Sequence, residues 1–135
     1  MQGREDTVAD ETPRDYDRHY PRELSGPLQI RVGLDKEAGE VTRFLVQLEY
    51  NRSGEWDTVV RLDHDSLGSD EATHNVAEEG LHLDVYRDGQ KVRTEDVTGP
   101  LPPNEALNAA EDHLTEHLEA YISRYERWHG INSDP

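Results

Sequence analysis

Three histidines in the middle of the chain, His64, His74 and His82, stand among acids and guanidinium groups in a way that suits proton transfer beside a phosphate. Arg61, Asp63 and His64 are nearly consecutive, and Asp84 and Arg87 follow His82 within five residues. One imidazole can take the proton of a ribose 2′-hydroxyl while another protonates the leaving oxygen, with an arginine holding the charged phosphorane. In that scheme His64, His74 and His82 are the candidate acid and base groups. Asp63 or Asp84 orients an imidazole, and Arg61 or Arg87 opposes phosphate. The plainer reading is a sheet face that is polar because it meets water, in a protein acidic enough to set Asp beside Arg everywhere.

Metal chemistry is the second use of such residues, since the three histidines with Asp63, Asp65 and Asp84 are permitted zinc or manganese ligands. No tight ligand spacing is evident, and neither a metal nor a cofactor is expected. His113 and His117 stand four apart, but HLTEH lacks the glutamate directly after the first histidine that a zincin requires. They are read as flanking a buried stripe. Nucleotide-binding glycine loops and nucleophile elbows are missing, and the absence of cysteine removes disulfides and thiolate chemistry.

These groups have to be positioned by strands. Leu28, Ile30, Val32 and Leu34 alternate with Gln29, Arg31, Gly33 and Asp35, the period of a strand with one wet face. After KEAGE the pattern resumes over Thr42 to Tyr50, with Phe44, Val46, Leu48 and Tyr50 against Arg43, Gln47 and Glu49. NRSGE then reads as a hairpin turn, and Trp56 to His64 as a third strand with Val60 and Leu62 inward, although Val59 blurs the alternation. Asp65 to Glu79 is a loop, longer than most connections. Gly80 to Arg87 returns as a strand, and the turn RDGQ leads to a weak edge strand, Lys91 to Val97. From an N-cap at Asn104, the residues Leu107, Ala110, Leu114, Leu118, Tyr121, Ile122, Tyr125 and Trp128 recur at helical spacing.

The expected fold is therefore α+β: an antiparallel four- to five-stranded meander sheet with one long C-terminal helix packed on one face, behind a disordered acidic N-terminal tail. Residues 1–26 form that leader, because they hold almost no aliphatic side chains to repay the entropy of ordering. Residues 27–130 form the domain and 131–135 a short tail. If the helix covers the aliphatic face, the opposite face presents Arg43, Gln47, Glu49, Arg61, Asp63, His82 and Asp84 together.

Composition sets the surroundings. The 135 residues carry 30 Asp plus Glu against 14 Lys plus Arg, a net charge of −16. Lys36 and Lys91 are the two lysines among those bases. Such a chain repels itself in dilute buffer and is soluble where salt screens charges beyond about 3 Å at 1 M, so a halophilic, archaeal and cytoplasmic protein is expected. No apolar run reaches the 18 or more residues of a membrane helix, and no membrane association is expected. Phosphate contacts weaken steeply in salt, so binding to RNA would rest on stacking by Tyr50, Trp56 or Tyr86 and on direct arginine hydrogen bonds.

The segment RFLVQLEYNRSGEWDTVVRLDHDSLGSDEATHNVAEEGLHLDVYRDGQKV, roughly residues 43 to 92, resembles a family of small uncharacterised prokaryotic proteins in which a strand ending Arg-x-Asp precedes a histidine-bearing loop. In outline it is also similar to TumE-type toxins of toxin-antitoxin pairs, with Leu62, Asp63, His64, His74 and His82 at the corresponding positions. Leu62 stands where that family has an aromatic, and the compact histidine cluster is spread over a longer acidic loop here. The resemblance implies an RNA-directed toxin with an antitoxin-like protein partner.

Two functions follow. The first is a non-enzymatic interaction module, whose sheet edge or Tyr-containing leader (RDYDRHYPRE, residues 14–23) recruits a protein. The alternative is a toxin-like ribonuclease using His82 and His64 for proton transfer, Arg61 for phosphate and Asp63 as orienter. Whether the chain is an enzyme, and its oligomeric state, stay open between them.

Overall fold

The computed structural model describes residues 16–66 and 74–131. The first part of the expected leader, the middle of the long loop and the last four residues lie outside them.

Six strands form one antiparallel sheet in the order β1 to β6: β1 (Arg18–Glu23), β2 (Leu28–Glu37), β3 (Glu40–Arg52), β4 (Glu55–Asp65), β5 (His82–Arg87) and β6 (Gln90–Asp96). A one-turn helix α1 (Val76–Glu79) lies between β4 and β5, and α2 (Pro103–Glu116) and α3 (Leu118–Trp128) close the chain. The α+β class and the meander are as the alternation predicts. Three of the hairpin turns, Ala38–Gly39, Ser53–Gly54 and Asp88–Gly89, have positive φ at both central residues, the geometry that matches strand twist.

Register explains the core. Val32 stands opposite Val46 and Val46 opposite Leu62, so the aliphatic sets of three strands share one face. Ala106, Ala110 and Leu114 of α2 and Tyr121 and Tyr125 of α3 bury against it. A bulge after Leu48 leaves Val59 unpaired on β4, which lets both Val59 and Val60 enter the core. That is why Val59 breaks the period in the sequence.

Three expectations change. Residues 18–23, read as part of a disordered leader, are the edge strand β1, paired with β2 from Arg18 opposite Leu34 to Glu23 opposite Gln29. Backbone pairing holds this strand although all six residues are exposed. At its start Tyr16 packs on Gly33, where a Cβ would lie 2.7 Å from the ring, with the Arg43 guanidinium 4.4 Å from the ring centre. The sheet thus has six strands rather than four or five. The single long helix is two helices, because His117 leaves helical geometry (φ −110°, ψ 15°). Its backbone N–H and its ring Nδ1 both meet the His113 carbonyl, at 3.1 and 3.0 Å, which bends the helix there. Asn104 is not the N-cap; Pro102 is, and Asn104 instead accepts from the Val41 N–H at 2.8 Å, tying α2 to the β2–β3 turn. No helix among the described residues is long and apolar enough to cross a membrane.

Candidate histidine and carboxylate site

The polar sheet face exists, and it is knitted together from within. Glu49 accepts from Gln29 at 2.7 Å and from Arg31 at 3.1 Å, and Arg61 donates to Gln47 at 2.7 Å. Arg61 also lies 5.0 Å from the centre of the Tyr86 ring, and Arg43 donates to Asp35 at 2.8 Å. Gln29, Gln47, Glu49, Asp63 and Asp84 are all buried. Buried polar groups must find partners inside the fold, and here each arginine of the face already has one.

At the β4–β5 end the face opens into a cluster. Arg61 stands opposite Asp84 in register. Asp65 N–H donates to the His74 carbonyl at 2.8 Å, which returns the long loop to the end of β4 and sets the His74 ring over the face. His74 Nε2 lies 3.3 Å from both carboxylate oxygens of Asp84, which also accepts from Thr94 Oγ1 at 2.7 Å and meets Lys91 Nζ at 3.3 Å. His74 Nδ1 lies 3.3 Å from Glu79 Oε1, and the His74 and His82 ring centres are 4.9 Å apart.

These contacts set the charges. The Asp84 hydrogen bond, against the opposing effect of burial, holds the His74 imidazolium proton up to about 9. Burial pushes the Asp63 carboxyl up to about 6, and its Oδ1 has no hydrogen-bond partner among the described residues. Asp84 sits below the ordinary carboxylate range: burial opposes this, and the bonds from His74 and Thr94 overcome it. Glu79 is lowered by the Asn75 N–H and then by His74.

The structure brings together Arg61, Asp63, His74, His82 and Asp84 of the expected site residues, and it separates His64. His64 has the same strand parity as Val60 and Leu62, so it points into the core and is 1% exposed. Its Nδ1 accepts from the Val76 N–H at 3.0 Å and its Nε2 faces Ser66 Oγ at 3.0 Å. Burial lowers its proton affinity. A neutral ring that holds the start of α1 is not placed for proton transfer on the other face. Arg87 covers Trp128, 4.9 Å from the ring centre. His113 and His117 stack at 4.2 Å, with His113 Nε2 2.7 Å from the Tyr121 hydroxyl.

Glu79, Thr94 and Asp96 belong to the cluster and were not singled out from sequence. Glu79 had a signal: His74-x4-Glu79-x2-His82 is a spacing that a turn of helix can close. Asp96 Oδ1 lies 2.9 Å from His82 Nδ1, though out of line for a hydrogen bond.

No curated protein and no solved structure matches the chain, so the likeness to TumE-type toxins is not shown. A family model does match: residues 9–131 fit a domain of unknown function, DUF7718, and the chain belongs to that family.

Proposed function

We propose that the protein is a non-catalytic interaction module that takes a protein partner at the turn end of the β3–β4 hairpin. Trp56 carries this reading. It is 45% exposed, beside a shallow cleft of about 340 Å³ lined also by Arg52, Ser53, Glu55 and Asp57. Tryptophan and arginine at an open cleft are the residue types that dominate binding hot spots. The polar sheet face offers a partner little, since its arginines are paired internally. A net charge of −16 favours a partner segment with basic residues around an apolar anchor.

Selection from a displayed random-peptide library tests this. Enriched peptides should lose about 30-fold in affinity on Trp56→Ala, the effect of about 2 kcal/mol at a hot spot, and should shift Trp56 emission to the blue. Peptides that bind the Trp56→Ala protein equally well would refute the reading.

A second reading, the toxin-like ribonuclease, draws support from the His74–His82 pair, with His74 kept protonated as an acid and Arg61 nearby. The burial of Asp63 and Asp84 weighs against access by a polymer. On this reading, expression arrests growth and purified protein cleaves RNA in molar salt, both lost in His82→Ala; intact RNA after incubation would exclude it.

A further inference from the structure

We propose that His74 Nδ1, Glu79 Oε1 and His82 Nε2 form a zinc site with an open fourth position. The three atoms lie within 4.8 Å of one another. Glu79 Oε1 is 3.3 Å from His74 Nδ1 and 3.6 Å from His82 Nε2. A tetrahedral zinc with ligands at about 2.0 to 2.2 Å places its donor atoms roughly 3.3 to 3.6 Å apart. Two imidazoles and one carboxylate are a donor set that zinc accepts with water in the remaining place.

The groups behind the ligands make the stronger argument. A histidine ligand is usually oriented by a carboxylate or carbonyl at its other ring nitrogen. His74 meets Asp84 at Nε2, and Asp84 is itself fixed by Thr94 and Lys91. His82 has Asp96 2.9 Å from Nδ1. The other carboxylate oxygen of Glu79 accepts the Asn75 N–H at 3.0 Å, in the cap of α1. His74 and Glu79 are therefore held from behind, Asp96 lies beside the outer nitrogen of His82 without a hydrogen bond to it, and among the described residues His82 Nε2 has the Glu79 carbonyl, 3.1 Å away, to give up.

Charge points the same way. Asp63 is 5% exposed, and among the described residues its Oδ1 is unpartnered beside the His74 ring. With Glu79, Asp84 and Asp96 it makes four carboxylates against the two cations Lys91 and Arg61 and the two imidazoles, a surplus that a dication offsets.

Asp63, His74 and Asp84 are a competing ligand set on the opposite nitrogen of the same ring. It is the poorer one, because Lys91 already occupies Asp84 and would repel a dication. The His74, Glu79 and His82 side chains keep 12%, 43% and 16% of their surface exposed, so an ion can enter between them.

Titration of the chelator-treated full chain with zinc chloride in molar potassium chloride, followed by calorimetry, decides the matter, with cobalt(II) absorption reporting geometry. One zinc per chain and a tetrahedral cobalt spectrum are expected. Glu79→Gln and His82→Ala, which remove ligands, should each weaken zinc by at least about 100-fold, the upper end of what loss of an orienting partner costs, while Asp63→Asn, which removes a neighbouring charge but no ligand, should weaken it by less than about 10-fold. Glu79→Gln keeps its shape and its contact to Asn75, and an unchanged far-ultraviolet circular dichroism spectrum shows that it folds. Three results would overturn the assignment: no saturable binding, weak binding of several ions alike in every variant, or loss in Asp63→Asn with retention in Glu79→Gln. None of them touches the Trp56 reading, which the peptide selection tests separately.

Discussion

Gly80→Ala should destabilise the protein by about 4 kcal/mol or more, the sum of backbone strain and forced overpacking. Gly80 has φ 89° and ψ 179°, a region open in practice only to glycine. A Cβ there would lie 2.2 Å from the Thr98 carbonyl oxygen and 2.8 Å from the Gly99 carbonyl carbon. Neither neighbour can retreat cheaply. Val97 and Thr98 both donate their N–H groups to the Leu81 carbonyl, at 2.9 and 3.2 Å, and the Gly80 N–H closes α1 on Val76. Domains of this size are stable by only about 5 to 15 kcal/mol, so the variant should unfold at much lower urea concentration, at an unchanged salt level. Equal midpoints for Gly80→Ala and wild type would show that the segment relaxes freely and that the clash is unimportant. Gly80 also sets the step between Glu79 and His82, so the fold and the proposed metal ligands depend on one backbone conformation.

How much of this was legible in the sequence depended on whether a residue's place followed from its own strand. Period-two alternation gave the faces of β2 to β5 because each strand carries enough aliphatic residues to fix its parity. The same parity assigns His64 to the core with Val60 and Leu62, and the attraction of three clustered histidines outweighed it. β1 was invisible for the opposite reason: RHYPRE buries nothing, and its order comes from pairing with β2 and from Tyr16 on Gly33. The bend at His117 depends on a side chain competing for a carbonyl within its own helix, which helical spacing alone does not report. The histidine and carboxylate cluster needed tertiary information most. Asp84, Thr94 and Asp96 reach it from adjacent strands, and His74 arrives from a loop whose return is set by a backbone bond to Asp65. Sequence placed the right face outward; it could not say that the face would satisfy its own charges.

The charge state of that cluster leads to a second large effect, a loss of stability in mild alkali that a single side chain controls. His74 binds its proton up to about 9 in the folded protein, against 6.5 for the free side chain. Between those values the native state carries a proton that the unfolded state has released, so stability falls as pH rises. The contribution is complete below 6.5 and gone once pH passes 9. The span corresponds to roughly 3 kcal/mol as an upper bound, reduced by whatever solvent reaches the ring. Asp63 acts earlier and with the same sign. Its carboxyl is raised from 3.8 to about 6, so its contribution is lost between those values, before the His74 window opens. Tyr16 and Tyr50 are pushed up to about 12 and stay neutral throughout. Urea unfolding at pH 6.5 and pH 9, with a chelator present so that no metal contributes, should therefore show a drop in wild type that is largely absent in His74→Gln. Parallel drops in the two proteins would mean that Asp84 does not hold the imidazolium as the geometry requires. The glutamine retains a donor for Asp84 without a titratable proton, so the comparison separates the charge of His74 from its hydrogen bond.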